Sequence, residues 1–256
     1  MRTRAHIALL LPLACLLGCG LPYTPPVSSL SGNWQIQSGT AITSPPTGFY
    51  LVGAIQGQDS QLTGVFNTVY VSGVSPTVES YSGTFNPSTG SLVLNSTAPL
   101  PAGQTIATLS VPANPSDLSS GTLNIMCGLC ANGQQFQIVG VEIAPLNGTY
   151  TGTLTASPNL SGTASLTLTQ SSTPNSSGQF PLTSTFSFTG SSGFNTYAIS
   201  GTISGEGITL YDPTPGILPL VSLMASTNPA ATQMTVSNLA FASDTVLYTG
   251  TLTLQQ

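Results

Sequence analysis

The chain has 256 residues, of which 4% are charged, and its 2 Lys+Arg are Arg2 and Arg4, beside the single His, His6. Removal of the N-terminus would leave no cation and all 7 acidic residues, which excludes phosphate-tracking nucleic-acid grooves and any mechanism built on a His base or a Lys or Arg clamp. A hydrophobic fraction of 40%, with 27 Gly and 20 Pro, is enough to fill a core and differs from the low-hydrophobicity, high-charge composition of disorder, so the chain is expected to fold.

Residues 1–6 form a basic flank, and residues 7–17 form an apolar run of 11 broken only by Pro12. About 20 apolar residues are needed to span a bilayer, whereas the apolar centre of a signal peptide runs roughly 7 to 15 and ends at small residues. Residues 1–18 therefore read as a signal peptide. Leu16, Leu17, Gly18 and Cys19 follow at once, and here the chain resembles bacterial lipoproteins, whose lipobox sets Leu three residues before the modified Cys and a small residue just before it. The resemblance covers about the first 20 residues. It implies cleavage before Cys19, acylation of its thiol and new amine, and a durable membrane anchor, since each buried CH₂ of an acyl chain contributes about 0.8 kcal/mol. Gly20 does not match the Asp that goes with inner-membrane retention in that family, so the resemblance favours the outer membrane or cell surface.

Residues 19–29 contain Pro22, Pro25 and Pro26 and read as an extended tether of roughly 30 Å. Beyond them no window keeps apolar residues at helical spacing, while short alternating runs rich in Thr, Val, Ile, Tyr and Phe recur between Gly, Ser, Asn and Pro clusters. The first, residues 30–36, places Leu30, Trp34 and Ile36 on one face and Ser31, Asn33 and Gln35 on the other, the pattern of a half-buried strand. Strands 49–56 and 61–71 flank the turn 57–60, and strands 79–85 and 91–95 flank 86–90, giving two hairpins. Strands 105–111, 121–126 and 135–143 complete a first group.

After Ala144 and Pro145 the pattern restarts. Leu146, Gly148 and Tyr150 repeat Leu30, Gly32 and Trp34 at an offset of 116, and Ser200, Gly201 and Thr202 repeat Ser82, Gly83 and Thr84 at 118. Strands are then expected over 164–170, 182–189, 197–203, 207–211, 220–225, 234–240 and 246–254. A repeat of this period matches a whole small domain. The expected fold is all-β, two tandem antiparallel meander barrels or sandwiches, occupying residues 30–145 and 146–256.

Gly32, Asn33 and Trp34, followed by a hairpin closing on residues 62–66, resemble the opening of avidin-type and lipocalin-type up-and-down barrels, and Gly148 and Tyr150 keep part of it. Lipocalins cover that Trp with a late Arg and avidins wall their biotin pocket with several Trp, whereas this chain has one Trp and no Arg beyond Arg4. The resemblance therefore does not imply biotin binding. Trp34 is expected to plug a core, and Trp34, Tyr150 and Glu142 are the candidates for lining a pocket.

Cys127 and Cys130 lie between two strands of an exported chain, and a local disulfide is their expected state. A redox CxxC would open a helix, and zinc would need further Cys or His ligands. Among the acids, Asp59, Asp117, Glu206, Asp212 and Asp244 sit at expected turns and strand ends and read as surface charges. Glu142 falls within a strand on the face of Phe136 and Ile138, where burial would raise its pKa, unless it emerges at the sheet end. No local pair of carboxyls has glycosidase spacing, and no nucleophile, phosphate-loop, zinc-protease or dinucleotide motif is present. The expected function is that of a lipid-anchored envelope or surface protein, without catalysis or cofactor, serving structure or recognition of an envelope glycan or protein. A carrier of a small apolar ligand in a barrel interior is the alternative, followed by a carboxylate-only hydrolase.

Overall fold

The computed structural model describes residues 27–41, 43, 50–69, 77–97, 105–114, 117–126, 134–156, 160–190, 193–212, 220–242 and 246–255. Every regular element among them is a strand. The first group comprises β1 (Gly32–Ser38), β2 (Tyr50–Gln58), β3 (Gln61–Val69), β4 (Thr77–Asn86), β5 (Ser91–Ser96), β6 (Thr105–Asn114), β7 (Asp117–Met126) and β8 (Gln134–Ile143). The second comprises β9 (Gly148–Ala156), β10 (Leu160–Gln170), β11 (Phe180–Gly190), β12 (Gly193–Ser204), β13 (Gly207–Tyr211), β14 (Val221–Thr227), β15 (Gln233–Phe241) and β16 (Tyr248–Leu254). Each strand pairs antiparallel with its neighbours in sequence, and both groups close: β1 on β8 through Trp34↔Glu142, and β9 on β16 through Tyr150↔Leu254. Of the two architectures the sequence allowed, the chain adopts the barrel, twice.

Alternation explains the inner faces. In β10, Gly162, Ala164, Leu166 and Leu168 are buried while Ser161, Thr163, Thr167 and Thr169 are exposed, so the strand offers one apolar face and its β-branched residues suit the pleat of the other. Eight strands leave an interior just wide enough for side chains to fill. Trp34, Ile36, Leu51, Ile55 and Phe66, all at most 1% exposed, fill the first, and Phe66 meets Tyr81 edge-on at 5.7 Å. Tyr150, Leu166, Phe186, Leu223 and Leu252 fill the second, where Phe188 stands edge-on to Tyr248 at 5.0 Å.

The repeat survives in backbone geometry. A Cβ on Gly83 in β4 would lie 1.8 Å from the Val93 carbonyl oxygen, and one on Gly201 in β12 would lie 1.9 Å from that of Thr209. Both sit one strand from the next hairpin, paired with Leu94 and Leu210, so glycine at this place lets adjacent strands approach more closely than any side chain permits.

One expectation fails. The first strand is not half-buried: Asn33, Trp34, Gln35, Ile36 and Gln37 are all buried. Trp34 and Ile36 point into the first barrel, Asn33 and Gln35 on the other face meet the second, and Gln37 donates to the Ala41 carbonyl at 2.7 Å.

Candidate functional site

The two barrels are joined by residues 144–147 and meet along β1, β2, β3 and β8. Ala54 and Ile143 of the first barrel belong to the apolar cluster of the second. The turn between β12 and β13 docks on β1. Its Gly205 has φ 55° and is buried, and a Cβ there would lie 2.6 Å from Val52 Cγ1, so both backbone and space require glycine. Asn33 clasps this residue on both sides: its Nδ2 donates to the Gly205 carbonyl at 2.8 Å, and the Gly205 N–H donates to its Oδ1 at 2.8 Å. The Glu206 N–H donates to Gln35 Oε1 at 3.2 Å. Further along, Asn67 Nδ2 donates to the Ser177 carbonyl at 2.9 Å, and the Ala144 N–H to the Pro229 carbonyl at 2.8 Å.

Two acids read as surface charges, Glu206 and Asp212, are buried. Glu206 lies in a turn but is only 8% exposed, because that turn is the docking element, and Asp212 after β13 is equally buried. Glu79, 6% exposed, faces Phe66 across the ladder inside the first barrel and accepts a hydrogen bond of 2.7 Å from the Tyr81 hydroxyl. Asp59 does lie in the β2–β3 turn, where it accepts from the Ser28 hydroxyl. The side chain of Asp117, all of Asp244, and Cys19, Cys127 and Cys130 lie outside the described residues.

Two adjacent clefts open where the first barrel hands over to the second. One, of 270 Å³, is lined by Ser31, Gly32 and Glu142 from the first barrel and by Asn147, Gln170 and Ser172 from the second, with Phe180 at its base. The other, of 530 Å³, shares Ser31, Gly32, Ser172 and Phe180 and continues along Gln56 and Gln58. A third cavity of 410 Å³, lined by Gln35, Glu206 and Thr227 among others, lies beneath the docking turn. Gln35 Nε2 is buried there without a hydrogen-bond partner.

The edge of the 270 Å³ cleft is held by two amides acting on the backbone. The Leu146 N–H donates to Gln170 Oε1 at 2.9 Å, and the Gln170 N–H donates to Asn147 Oδ1 at 3.0 Å. With both oxygens engaged, the NH₂ ends of Asn147 and Gln170 are the polar groups these residues turn to other partners. Glu142, opposite Trp34 in the ladder, lies over Gly32, whose missing Cβ would sit 2.4 Å from Glu142 Oε1. Glu142 is half-buried, and this burial raises its pKa from 4.5 to about 7. It is the only acid among the described residues lining that cleft.

Trp34 and Tyr150 are no part of any of these walls. Both are 0% exposed: Trp34 Nε1 donates to the Leu30 carbonyl at 2.8 Å, and the Tyr150 hydroxyl to the Ala231 carbonyl at 2.6 Å, in a turn where Ala231 has φ 54°. Each ring fills its barrel and ties down a neighbouring segment. Of the three residues that sequence reasoning singled out for a pocket, Glu142 alone borders one. Asn147, Gln170 and Ser172 were missed, because only the meeting of the two barrels brings them beside it.

The raised pKa of Glu142 has a stability consequence. The folded state holds this proton more tightly than the unfolded chain, so the contribution is fully present below about pH 4.5 and is lost as pH rises through about 7. Glu142→Gln should be more stable than wild type at pH 8, by about 1 kcal/mol once solvent screening of a half-exposed group is allowed for, and no more stable at pH 4. Urea unfolding midpoints at the two pH values check this, and equal differences at both would contradict it. Among the described residues no three or more His, Cys, Asp and Glu cluster as metal ligands. No protein-family model matches the chain, and no curated protein does.

Proposed function

We propose that the chain is an exported lipoprotein, held at the outer membrane or cell surface by acylated Cys19, whose body recognises an envelope glycan or protein or supports envelope structure. The signal peptide is residues 1–18, the tether residues 19–29, and the two barrels act as domains over 30–145 and 146–256. A disulfide between Cys127 and Cys130 belongs to the same reading of an exported chain.

The observation that carries the recognition role is the junction, where neutral hydroxyls and amides from both barrels border a shared cleft with one acid among its described residues. Such groups bind by short-range hydrogen bonds without electrostatic steering. Carriage of an apolar ligand is less well supported, because Trp34, Phe66, Tyr150 and Phe186 occupy the barrel interiors. Glycoside hydrolysis is less well supported too, because it calls for a second carboxyl within about 5–9.5 Å of the first, and Glu142 has no acid beside it among the cleft residues.

The address and the role are tested separately. Cys19→Ala should leave the precursor unprocessed, and wild-type protein from membranes should carry acyl mass on an N-terminal Cys19 peptide. Processing unchanged by the substitution, or an unmodified Cys19 peptide, would overturn the anchor. Cross-linking in intact cells with wild-type protein should give a discrete adduct with an envelope component, and a protein that gives none while present at the membrane would overturn the recognition role.

A further inference from the structure

We infer that the cleft at the barrel junction, between Gly32 and Glu142 on one side and Asn147, Gln170 and Ser172 on the other, is a binding site for an uncharged carbohydrate chain. The inference rests on the recognition role above and names its ligand.

Three features of the cleft select the chemistry. First, its groups are of two opposed kinds. The NH₂ ends of Asn147 and Gln170 are fixed as donors, because their oxygens receive backbone N–H groups. Beside them Glu142 supplies an acceptor with no hydrogen-bond partner among the described residues. A ligand group serving both must accept from an amide and donate to a carboxyl, which a hydroxyl does and an ammonium, having no lone pair, does not. Repeated hydroxyls on a sugar chain meet this demand at more than one of these groups.

Second, charge excludes the anionic saccharides. The described cleft residues include one acid and no cation, and the chain holds no Lys, Arg or His beyond residue 6. A uronate or phosphate brought beside Glu142 would be desolvated with no counter-ion.

Third, size and shape fit an oligomer. The 530 Å³ of the larger cleft alone lies within the roughly 300–1,000 Å³ of small-molecule sites, and it shares Ser31, Gly32, Ser172 and Phe180 with the smaller one, so the two lie side by side. Pro145, exposed at the rim, supplies apolar surface for the C–H face of a sugar ring. The raised pKa of Glu142 adds support, since a carboxyl that is partly protonated at neutral pH can donate to a ring oxygen as well as accept.

Gly32 gives a test that leaves both barrel cores alone. A methyl group there must displace the Glu142 carboxyl, which is the flexible end of its side chain. The probes are maltohexaose, cellohexaose and the hexamer of N-acetylglucosamine, with hexagalacturonate as the anionic counterpart and an acetylated Gly-Ser hexapeptide as the peptide control. They are titrated calorimetrically into the full mature protein in detergent. At least one neutral hexasaccharide should bind saturably, with hexagalacturonate at least tenfold weaker. Ser172→Trp, at an exposed position on the cleft wall, should abolish binding, and Gly32→Ala should weaken it at least fivefold, both with unchanged melting temperature. Neutral saccharides that fail to bind, or that bind both variants as well as wild type, would overturn the proposal. Tight binding of the peptide in place of the saccharides, lost in the same variants, would overturn the carbohydrate assignment. An envelope adduct that persists in Ser172→Trp cells would overturn the cleft as the recognising site and leave the wider recognition role standing.

Discussion

Asn33→Ala is expected to destabilise the protein by about 2–4 kcal/mol, a large effect for one polar residue on the outside of a barrel strand. The substitution removes two hydrogen bonds of 2.8 Å and leaves the N–H and C=O of Gly205 buried without them. Each orphaned backbone group costs about 1–3 kcal/mol, against a total stability of only about 5–15 kcal/mol. Loss of the amide also loosens the neighbouring contact of Glu206 with Gln35, since both hydrogen bonds depend on the seating of one turn. Thr163→Ala, at an exposed site in β10, should stay within about 0.5 kcal/mol of wild type. Chemical unfolding of the three proteins gives the comparison, and an Asn33→Ala value as small as that of Thr163→Ala would mean that the docked turn contributes nothing to stability.

Gly83→Ala and Gly201→Ala should each cost about 3 kcal/mol or more, and by similar amounts. The added methyl groups would fall 1.8 Å and 1.9 Å from carbonyl oxygens of the adjoining strands. Those oxygens are backbone atoms held in ladders on either side, so relief requires strands to move apart and lies at the upper end of the 1–3 kcal/mol typical of overpacking. Gly207→Ala is the comparison: the nearest atom to its Cβ is 3.5 Å away, and its stability should barely change. A large effect in one barrel and none in the other would break the equivalence of the two glycines.

That equivalence was legible in the sequence, as were the strands other than β9, which showed only as the echo of the first opening, because apolar alternation and turn residues are local signals. The opening Leu30, Gly32, Trp34 and its echo Leu146, Gly148, Tyr150 mark the same first strand in each barrel. Strand starts were read late where Ser, Thr and Gly lead: β7 begins at Asp117, β10 at Leu160 and β12 at Gly193, carried outward by pairing with a neighbour rather than by any apolar pattern. Closure into barrels was not legible. An inner face alternates in the same way in a sandwich, and the deciding contacts, Trp34 with Glu142 and Tyr150 with Leu254, join residues about a hundred positions apart.

The candidate site was the least legible part, for a related reason. Asn33 and Gln35 have the composition of a solvent face, and only the second barrel makes them an interface. Glu206 between two glycines has the look of an exposed turn until Asn33 and Gln35 are seen to hold it. Glu142 stood out as an acid in a strand, but Asn147, Gln170 and Ser172 are ordinary polar residues of another barrel, and nothing in their own neighbourhoods marks them.

The central claim is that the two barrels form one body with its recognition surface at their junction. The chain has one Trp, and Trp34 lies in the interior of the first barrel, so its fluorescence follows that barrel while far-ultraviolet circular dichroism follows the strands of both. Denaturant unfolding of the full mature protein, followed by both signals at once, is the most direct measurement. The two curves should coincide in a single transition for wild type. A fluorescence transition clearly separated from a second dichroism transition would show barrels that unfold independently and would contradict the account.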